Sequence, residues 1–182
     1  MRMYSYTLFD TAIGRCGLAW NDRGIVGVQL PEKTHAATRT RLLRHCPTAE
    51  EAAPPKPVQR AVDDIVALLG GERKTLRAHT LDMDRIPAFN ARVYDTACAI
   101  PPGKTRTYGE IACAIGEPDG ARAVGQALAR NPFPIIVPCH RVIGADGRMI
   151  GFSANGGIGV KLRLLDIEGW RAEAPSLFDA LV

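Results

Sequence analysis

Apolar residues in the first thirty positions alternate with polar ones, through MYSYTLFDT, GRCGLAWNDRG and IVGVQLPE. A period of two puts successive side chains on opposite faces of an extended chain. These segments therefore predict an antiparallel sheet with one face covered. Asp22-Arg23-Gly24 supplies a hairpin turn between two of the strands. The period then lengthens. HAATRTRLLRHC reads as a helix and PTAEEAAPPKP as a loop rich in proline and alanine. Val58, Val62, Ile65, Val66 and Leu69 recur at helical spacing up to Gly70-Gly71, a helix-ending pair. TLRAHTLDMD resembles one more strand. Residues 1–86 therefore read as a small N-terminal α/β domain.

Composition shifts after Pro87. NARVYDTACAI predicts a helix that PPGKTRTYGE breaks. Thr107 is placed to cap YGEIACAIG, and Glu110 three residues on completes a capping box. Gly116 ends that helix, EPDG turns, and ARAVGQALARN forms the next. Two short helices across a tight turn are a helix-turn-helix candidate, a pattern shared with ordinary helical hairpins. GVKLRLLDIEGW gives a last helix. Residues 87–182 thus form a second, mainly helical domain, and the fold class is α+β.

Hydrophobic residues at 46% and charged residues at 23% are ordinary for a globular chain. No apolar run reaches the roughly 18 residues of a membrane span. The N-terminal MRMYSYTLFDTAIG is too polar for the apolar core of a signal peptide. A cytoplasmic protein is expected. In that reducing setting the five cysteines, Cys16, Cys46, Cys98, Cys113 and Cys139, predict neither a disulfide framework nor a zinc cluster, being odd in number and without a CxxC pair. The net charge of +4 permits a polyanionic partner without demanding one.

One stretch does not fit a plain buried strand. NPFPIIVPCHRVIG, residues 131–144, sets Cys139, His140 and Arg141 side by side within an apolar run. Pro138 cannot donate to a ladder, so the strand should end or bend there and expose the thiol at the rim of the core. In regular β geometry Cys139 and His140 point to opposite faces, so their contact needs a distorted backbone or an intervening water. A thiol must become a thiolate to attack, and a positioned imidazole can take its proton. The imidazole in turn needs an orienter, most simply a carboxylate from another element.

With its flanks, this constellation resembles the O6-alkylguanine-DNA alkyltransferases, also called methylated-DNA–protein-cysteine methyltransferases. The resemblance rests on NPFPIIVPCHRVIG, on TYGEIA and ARAVG before it, and on GFSANGG and KLRLLDIEG after it. It implies a ribonuclease-H-like N-terminal domain and a C-terminal domain carrying the helix-turn-helix and the reactive cysteine. Cys139 would be the alkyl acceptor, with His140 its base through a bound water and Glu168 the orienter. Asn131 would be the hinge joining the second helix to the active-site segment. Tyr108 would bond the flipped guanine, and the backbone around Cys139 and Val142 would read its edge. Phe152 would be an apolar wall and Ser153 the group facing O6, on a loop somewhat longer than the family's commoner one. Arg122 would fill the hole left by the flipped base. The competing reading makes Tyr108 a core-packing residue and Arg122 a solvated charge.

The partner implied is double-stranded DNA bearing an alkylated guanine, with O4-alkylthymine left open as a second substrate, and the protein would act as a monomer. Alkyl transfer to sulfur leaves a thioether, which has no carbonyl for water to attack, so each molecule should act once and needs no cofactor. Some family members bind zinc through N-terminal cysteines and histidines. Cys16, His35, His45 and Cys46 do not reproduce that spacing, so no metal is expected.

The residues of ARAVGQALAR carry their own argument. A helix that reads bases in the major groove needs long polar side chains. This one offers mostly Ala and Gly, among them Ala121 and Gly125, with Arg122 and Gln126 one turn apart. Such a helix approaches a groove closely and reads little sequence, which suits minor-groove docking and lesion search. Lys104, Arg106 and Arg130 flank it as phosphate contacts. Three readings compete: a non-enzymatic protein that flags alkylated lesions, a Cys-His hydrolase, and a DNA-binding regulator.

Overall fold

The computed structural model describes residues 3–44, 46–147 and 157–171. The alternating N-terminal segments form β1 (Ser5–Thr11), β2 (Gly14–Asn21) and β3 (Gly24–Gln29). They pair antiparallel with Thr11 opposite Gly14 and Asn21 opposite Gly24 at the two hairpin ends. At the second hairpin the Asn21 side chain accepts from the N–H groups of Arg23 and Gly24, a local bond that fixes the turn. A short β4 (Glu50–Glu51) adds to β1 in parallel, giving a mixed four-stranded sheet of order β3-β2-β1-β4. The chain is thus α+β, as its periodicities predict.

Helix α1 (His35–Leu42) starts at Thr34, whose side chain accepts from the Ala37 N–H. Helix α2 (Lys56–Leu69) buries Val58, Ala61, Val62, Ile65, Leu68 and Leu69 along one stripe. Each such aliphatic side chain contributes about 1.5–3 kcal/mol when fully buried. The helix ends at Gly70, and Gly71 takes a φ of 96° that other residues adopt at a cost.

TLRAHTLDMD does not become a strand. Its extended pairing is one bridge, Leu81 with Ile25, held by Ile25 N–H to Thr80 O at 2.9 Å and Asp82 N–H to Ile25 O at 2.8 Å. The polar residues on its N-terminal side turn back instead to α2. Lys74 and His79 both bond Asp64, at 2.6 and 3.1 Å, and hold its carboxyl below the ordinary carboxylate range, the Lys74 bond most of all.

Helix α3 (Ala88–Cys98) leads into a loop and a two-residue β5 (Arg106–Thr107). Helix α4 (Tyr108–Ala114) has the expected capping box. Glu110 N–H donates to Thr107 Oγ1 at 3.1 Å, and Thr107 N–H to the Glu110 carboxylate at 2.6 Å. A turn through Gly116 (φ 78°) sets α5 (Ala121–Ala129) against α4 and α3. Tyr94 of α3 donates to Ala127 O of α5 at 3.0 Å inside the core. The last described helix is α6 (Gly157–Ile167).

One hydrophobic core includes Leu18, Trp20 and Val28 of the sheet, Ile65 and Leu68 of α2, and Tyr94, Ile111, Val124, Ile135 and Val137 further along the chain. A second, smaller cluster lies under α1. The edge strand β3 reaches the segment after α5 through Val28 N–H to Pro132 O at 2.8 Å. No described helix is long and apolar enough to cross a membrane.

Candidate active site

The segment from Asn131 to Ile143 is not the extended strand its apolar run suggests. Pro134, Pro138 and the missing donors they impose break the ladder. After α5 the chain makes a tight turn, with Val137 N–H on Phe133 O at 2.8 Å and Ile135 at a φ of 76°. A buried, β-branched residue in the left-handed region is strained, and surrounding contacts must hold it. Asn131 supplies two of these: its side-chain N–H donates to Val137 O at 2.9 Å, and its oxygen accepts from Phe133 N–H at 2.9 Å. Cys139–Arg141 then form one turn of 3₁₀ helix, and only Val142–Ile143 (β6) are extended, pairing parallel with β5.

This turn brings the predicted groups together. Cys139 is half-buried, His140 and Glu168 fully so. His140 Nε2 lies 2.8 Å from Glu168 Oε1. Burial alone would raise the Glu168 carboxyl, but its bonds to His140 and Arg141 outweigh that and take it down to about 2. Burial holds His140 below its ordinary value despite the carboxylate beside it. The pair at rest is therefore a neutral imidazole on a carboxylate. An anionic carboxylate only accepts, so Nε2 carries the proton. The other nitrogen, Nδ1, is buried and has no hydrogen-bond partner among the described residues.

The thiol is pushed above its ordinary value by burial. The Asn131 side chain, the Lys161 ammonium and the N–H groups of Cys139 and His140 act the other way. Asn131 thus bonds the thiol as well as the turn.

Tyr108, Ala121, Arg122, Gly125 and Gln126 line one apolar cavity of about 600 Å³, together with Gly144 and Ala145 of the strand end. On α5 a Cβ placed at Gly125 would lie 3.8 Å from the Tyr108 ring, an ordinary contact. The Tyr108 hydroxyl is raised to about 12 by burial. Cys139 lines a different, smaller cavity of about 170 Å³ with Asn131, Arg130 and Gly27. Lys104, Arg106 and Arg130 are exposed around the helix pair, Arg130 at the far end of α5 from Arg122. Phe152 and Ser153 lie outside the described residues. Among the described residues no group of three or more His, Cys, Asp or Glu is placed to hold a metal ion.

Sequence reasoning gave no role to Lys161 or Arg141. Lys161 is completely buried; its Nζ donates to Val142 O at 2.6 Å and lies 5.7 Å from the centre of the Tyr108 ring. Burial lowers it to about 8. The signal was its position: Lys161, Leu164, Leu165 and Glu168 share one helical face, so a lysine occupies a core stripe. The Val142 carbonyl, part of the backbone expected to read the guanine edge, thus already accepts from one donor.

A half-buried cysteine next to a buried imidazole–carboxylate pair, beside a small-residue helix flanked by cations, carries the groups that a thiol-based group acceptor needs. Comparison with known proteins narrows the class. Residues 88–170 match the family described as 6-O-methylguanine DNA methyltransferase, DNA binding domain. The methylated-DNA–protein-cysteine methyltransferase of Mycobacterium bovis is 40% identical over 179 residues, 97% of this chain and 100% of that one. A crystal structure of Mycobacterium tuberculosis O6-methylguanine methyltransferase superposes with a TM-score of 0.73 at 40% identity, covering 94% of this chain and 96% of that one. A structure of the Mycobacterium tuberculosis protein OGT in complex with DNA gives 0.71 at 38% identity, over 90% and 92%. The chain belongs to the methylated-DNA–protein-cysteine methyltransferase family.

Proposed function

We propose that the protein repairs DNA by direct reversal, moving one alkyl group from O6 of guanine in duplex DNA to Cys139. The observation that carries this reading is the buried His140–Glu168 pair next to Cys139, on a turn whose thiol and backbone Asn131 bonds just after α5. In the proposed reaction His140 Nδ1 takes the thiol proton through a water while Glu168 holds the ring. The sulfur attacks the O6-alkyl carbon; the S–C bond forms as the C–O6 bond breaks. The electron pair stays on the guanine, which regains its proton from the site. The product is a thioether, which water does not cleave, so each molecule acts once.

The α4–α5 pair supports a helix-turn-helix docked in the minor groove, with Ala121, Gly125 and Gln126 facing the groove. Lys104, Arg106 and Arg130 would contact phosphates. Arg122 would enter the stack as the base leaves it, and Tyr108, with the backbone of Cys139 and Val142, would hold the flipped base. The division into a ribonuclease-H-like unit, 1–86, and a DNA-binding unit, 87–182, belongs to the same reading. So does action as a monomer in a reducing cytosol, where the five free cysteines stay reduced.

The test is incubation with a duplex carrying labelled O6-methylguanine. Label should move covalently to Cys139 and plateau at about one transfer per molecule. C139A should transfer nothing while keeping DNA affinity. Label on Cys98 or Cys113, or sustained turnover, refutes the assignment.

A further inference from the structure

Glu168 accepts more hydrogen bonds than an orienter of His140 needs. Oε1 accepts from His140 Nε2 at 2.8 Å and from Arg141 Nη2 at 2.7 Å. Oε2 accepts from Arg141 Nε at 2.9 Å and from the Gly103 N–H at 3.3 Å. The remaining end of the guanidinium, Nη1, donates to Ile100 O at 2.6 Å. Arg141 is 4% exposed, so this fork is made away from water. Two side chains adjacent in sequence share one carboxylate because the 3₁₀ turn replaces the strand; extended backbone would send them to opposite faces.

We propose that Arg141 is a positioning residue for the transfer reaction: it holds Glu168 as an anion in a fixed plane, and so keeps the His140 proton on Nε2 and leaves Nδ1 to accept the thiol proton. The reason is donor arithmetic. Guanidinium has five N–H donors, no acceptor, and does not deprotonate in proteins. With Arg141 on both oxygens, Glu168 must accept on both. A protonated Glu168 would instead donate to His140 Nε2 and drive the ring proton to Nδ1, where it faces away from its task as acceptor. By favouring the carboxylate form, the bidentate fork disfavours that tautomer.

Charge gives the second half of the argument. The charged groups acting on His140 are Glu168 after α6, Arg141 in its own turn and Lys161 on α6. The Glu168 carboxylate favours imidazolium, whereas the two cations oppose it. Arg141 therefore orients the carboxylate and offsets its field at once, so that the imidazole is held firmly yet stays neutral and able to accept. Removing the cation while leaving the carboxylate favours imidazolium, which has no lone pair for the thiol proton. The acid limb of the reaction should then move to higher pH.

Two measurements on the full chain test this. The first reads the His140 ring nitrogens by ¹⁵N NMR, which is independent of the alkyl-transfer reading. The second rests on that reading and follows the rate of transfer from free O6-benzylguanine against pH. Wild type should show the Nε2–H tautomer. R141Q should raise the pH at which His140 titrates and move the acid limb up by about one unit, a loss that approaches about tenfold at pH values below the wild-type limb and recovers at high pH. R141K keeps the cation, so its limb should stay near that of wild type. An Nδ1–H tautomer in wild type overturns the proposal. So does an R141Q that is slower by one constant factor at every pH with His140 titrating unchanged. If R141Q does not fold, R141K decides: a displaced limb in the folded variant overturns the proposal. If no variant, wild type included, transfers alkyl groups, the functional reading fails and the NMR result still judges Arg141.

Discussion

At position 161 a lysine has lost all contact with water; its ammonium donates to the Val142 carbonyl and lies over the Tyr108 ring. Keeping that charge inside costs free energy, as the fall from 10.5 to about 8 records. Its return is at the thiol, which the same charge pulls toward thiolate. Between about pH 8 and 10.5 the unfolded chain holds a proton that the folded one has lost. By linkage, this group makes stability rise with pH across that window, by roughly 3 kcal/mol in total. K161M should lack the rise, which denaturant unfolding at pH 8 and pH 10 measures as a difference between the two proteins. The same variant should transfer alkyl groups at least about tenfold more slowly at neutral pH and recover part of the loss in alkali, since its thiol has lost a nearby cation. An equal pH dependence of stability in both proteins would mean that Lys161 titrates in the folded state as it does in the unfolded chain, its charge undisturbed by burial.

Helix α5 shows how an element is built for approach. Its buried face, Val124, Ala127 and Leu128, packs into the core, while Arg122, Ala123, Gln126 and Ala129 face out. Extruding a base costs a few kcal/mol in stacking and pairing, and a side chain entering the gap recovers part of it. Arg122 is the long cation at the start of a small-residue surface. R122A should slow transfer from duplex DNA strongly and from free O6-benzylguanine little. The effect should shrink for a lesion opposite an abasic site, where less pairing is broken. Equal slowing on duplex and free base would make Arg122 part of the pocket or the fold. This helix, its capped partner α4 and α2 were all legible in the sequence, because caps, glycine stops and apolar stripes are local signals. The turn through Ile135 and Cys139 was legible in part. Pro138 announced a bend, but the apolar run before it reads as a strand, and the bonds from Asn131 that shape the turn are not encoded in the period. The segment around Thr80 misled in the same direction: its alternation is real, but Lys74 and His79 find Asp64 in α2 and leave one bridge. Arg141 and Lys161 escaped because the partners that give them meaning lie 27 and 19 residues away in the chain.

Taken whole, the molecule places its sheet behind its reactive turn. β3 is an edge strand, and an edge left open invites pairing with another chain. Here it is covered from within: Ile25 bridges Leu81, and Val28 N–H binds Pro132 O, one residue from Asn131. Trp20, Ile25 and Val28 share a core with Phe133, Ile135 and Val137, so the strained turn rests on residues from the N-terminal sheet. A domain whose strain is held by such contacts should lose them all at once. The two tryptophans make this measurable. Trp20 is buried in the sheet, while Trp170 follows α6 and donates to Thr105 Oγ1 at 3.3 Å. W170F leaves a reporter in the sheet, and W20F leaves one beside the Glu168 end of the site. In denaturant the two reporters should show one shared midpoint once each is referred to its own protein's circular-dichroism transition, and transfer to Cys139 should vanish at that midpoint. If the Trp170 signal and the transfer activity both outlast the Trp20 signal, the two halves unfold separately. The geometry at Ile135 would then be held by Asn131 and its neighbours alone, without the sheet.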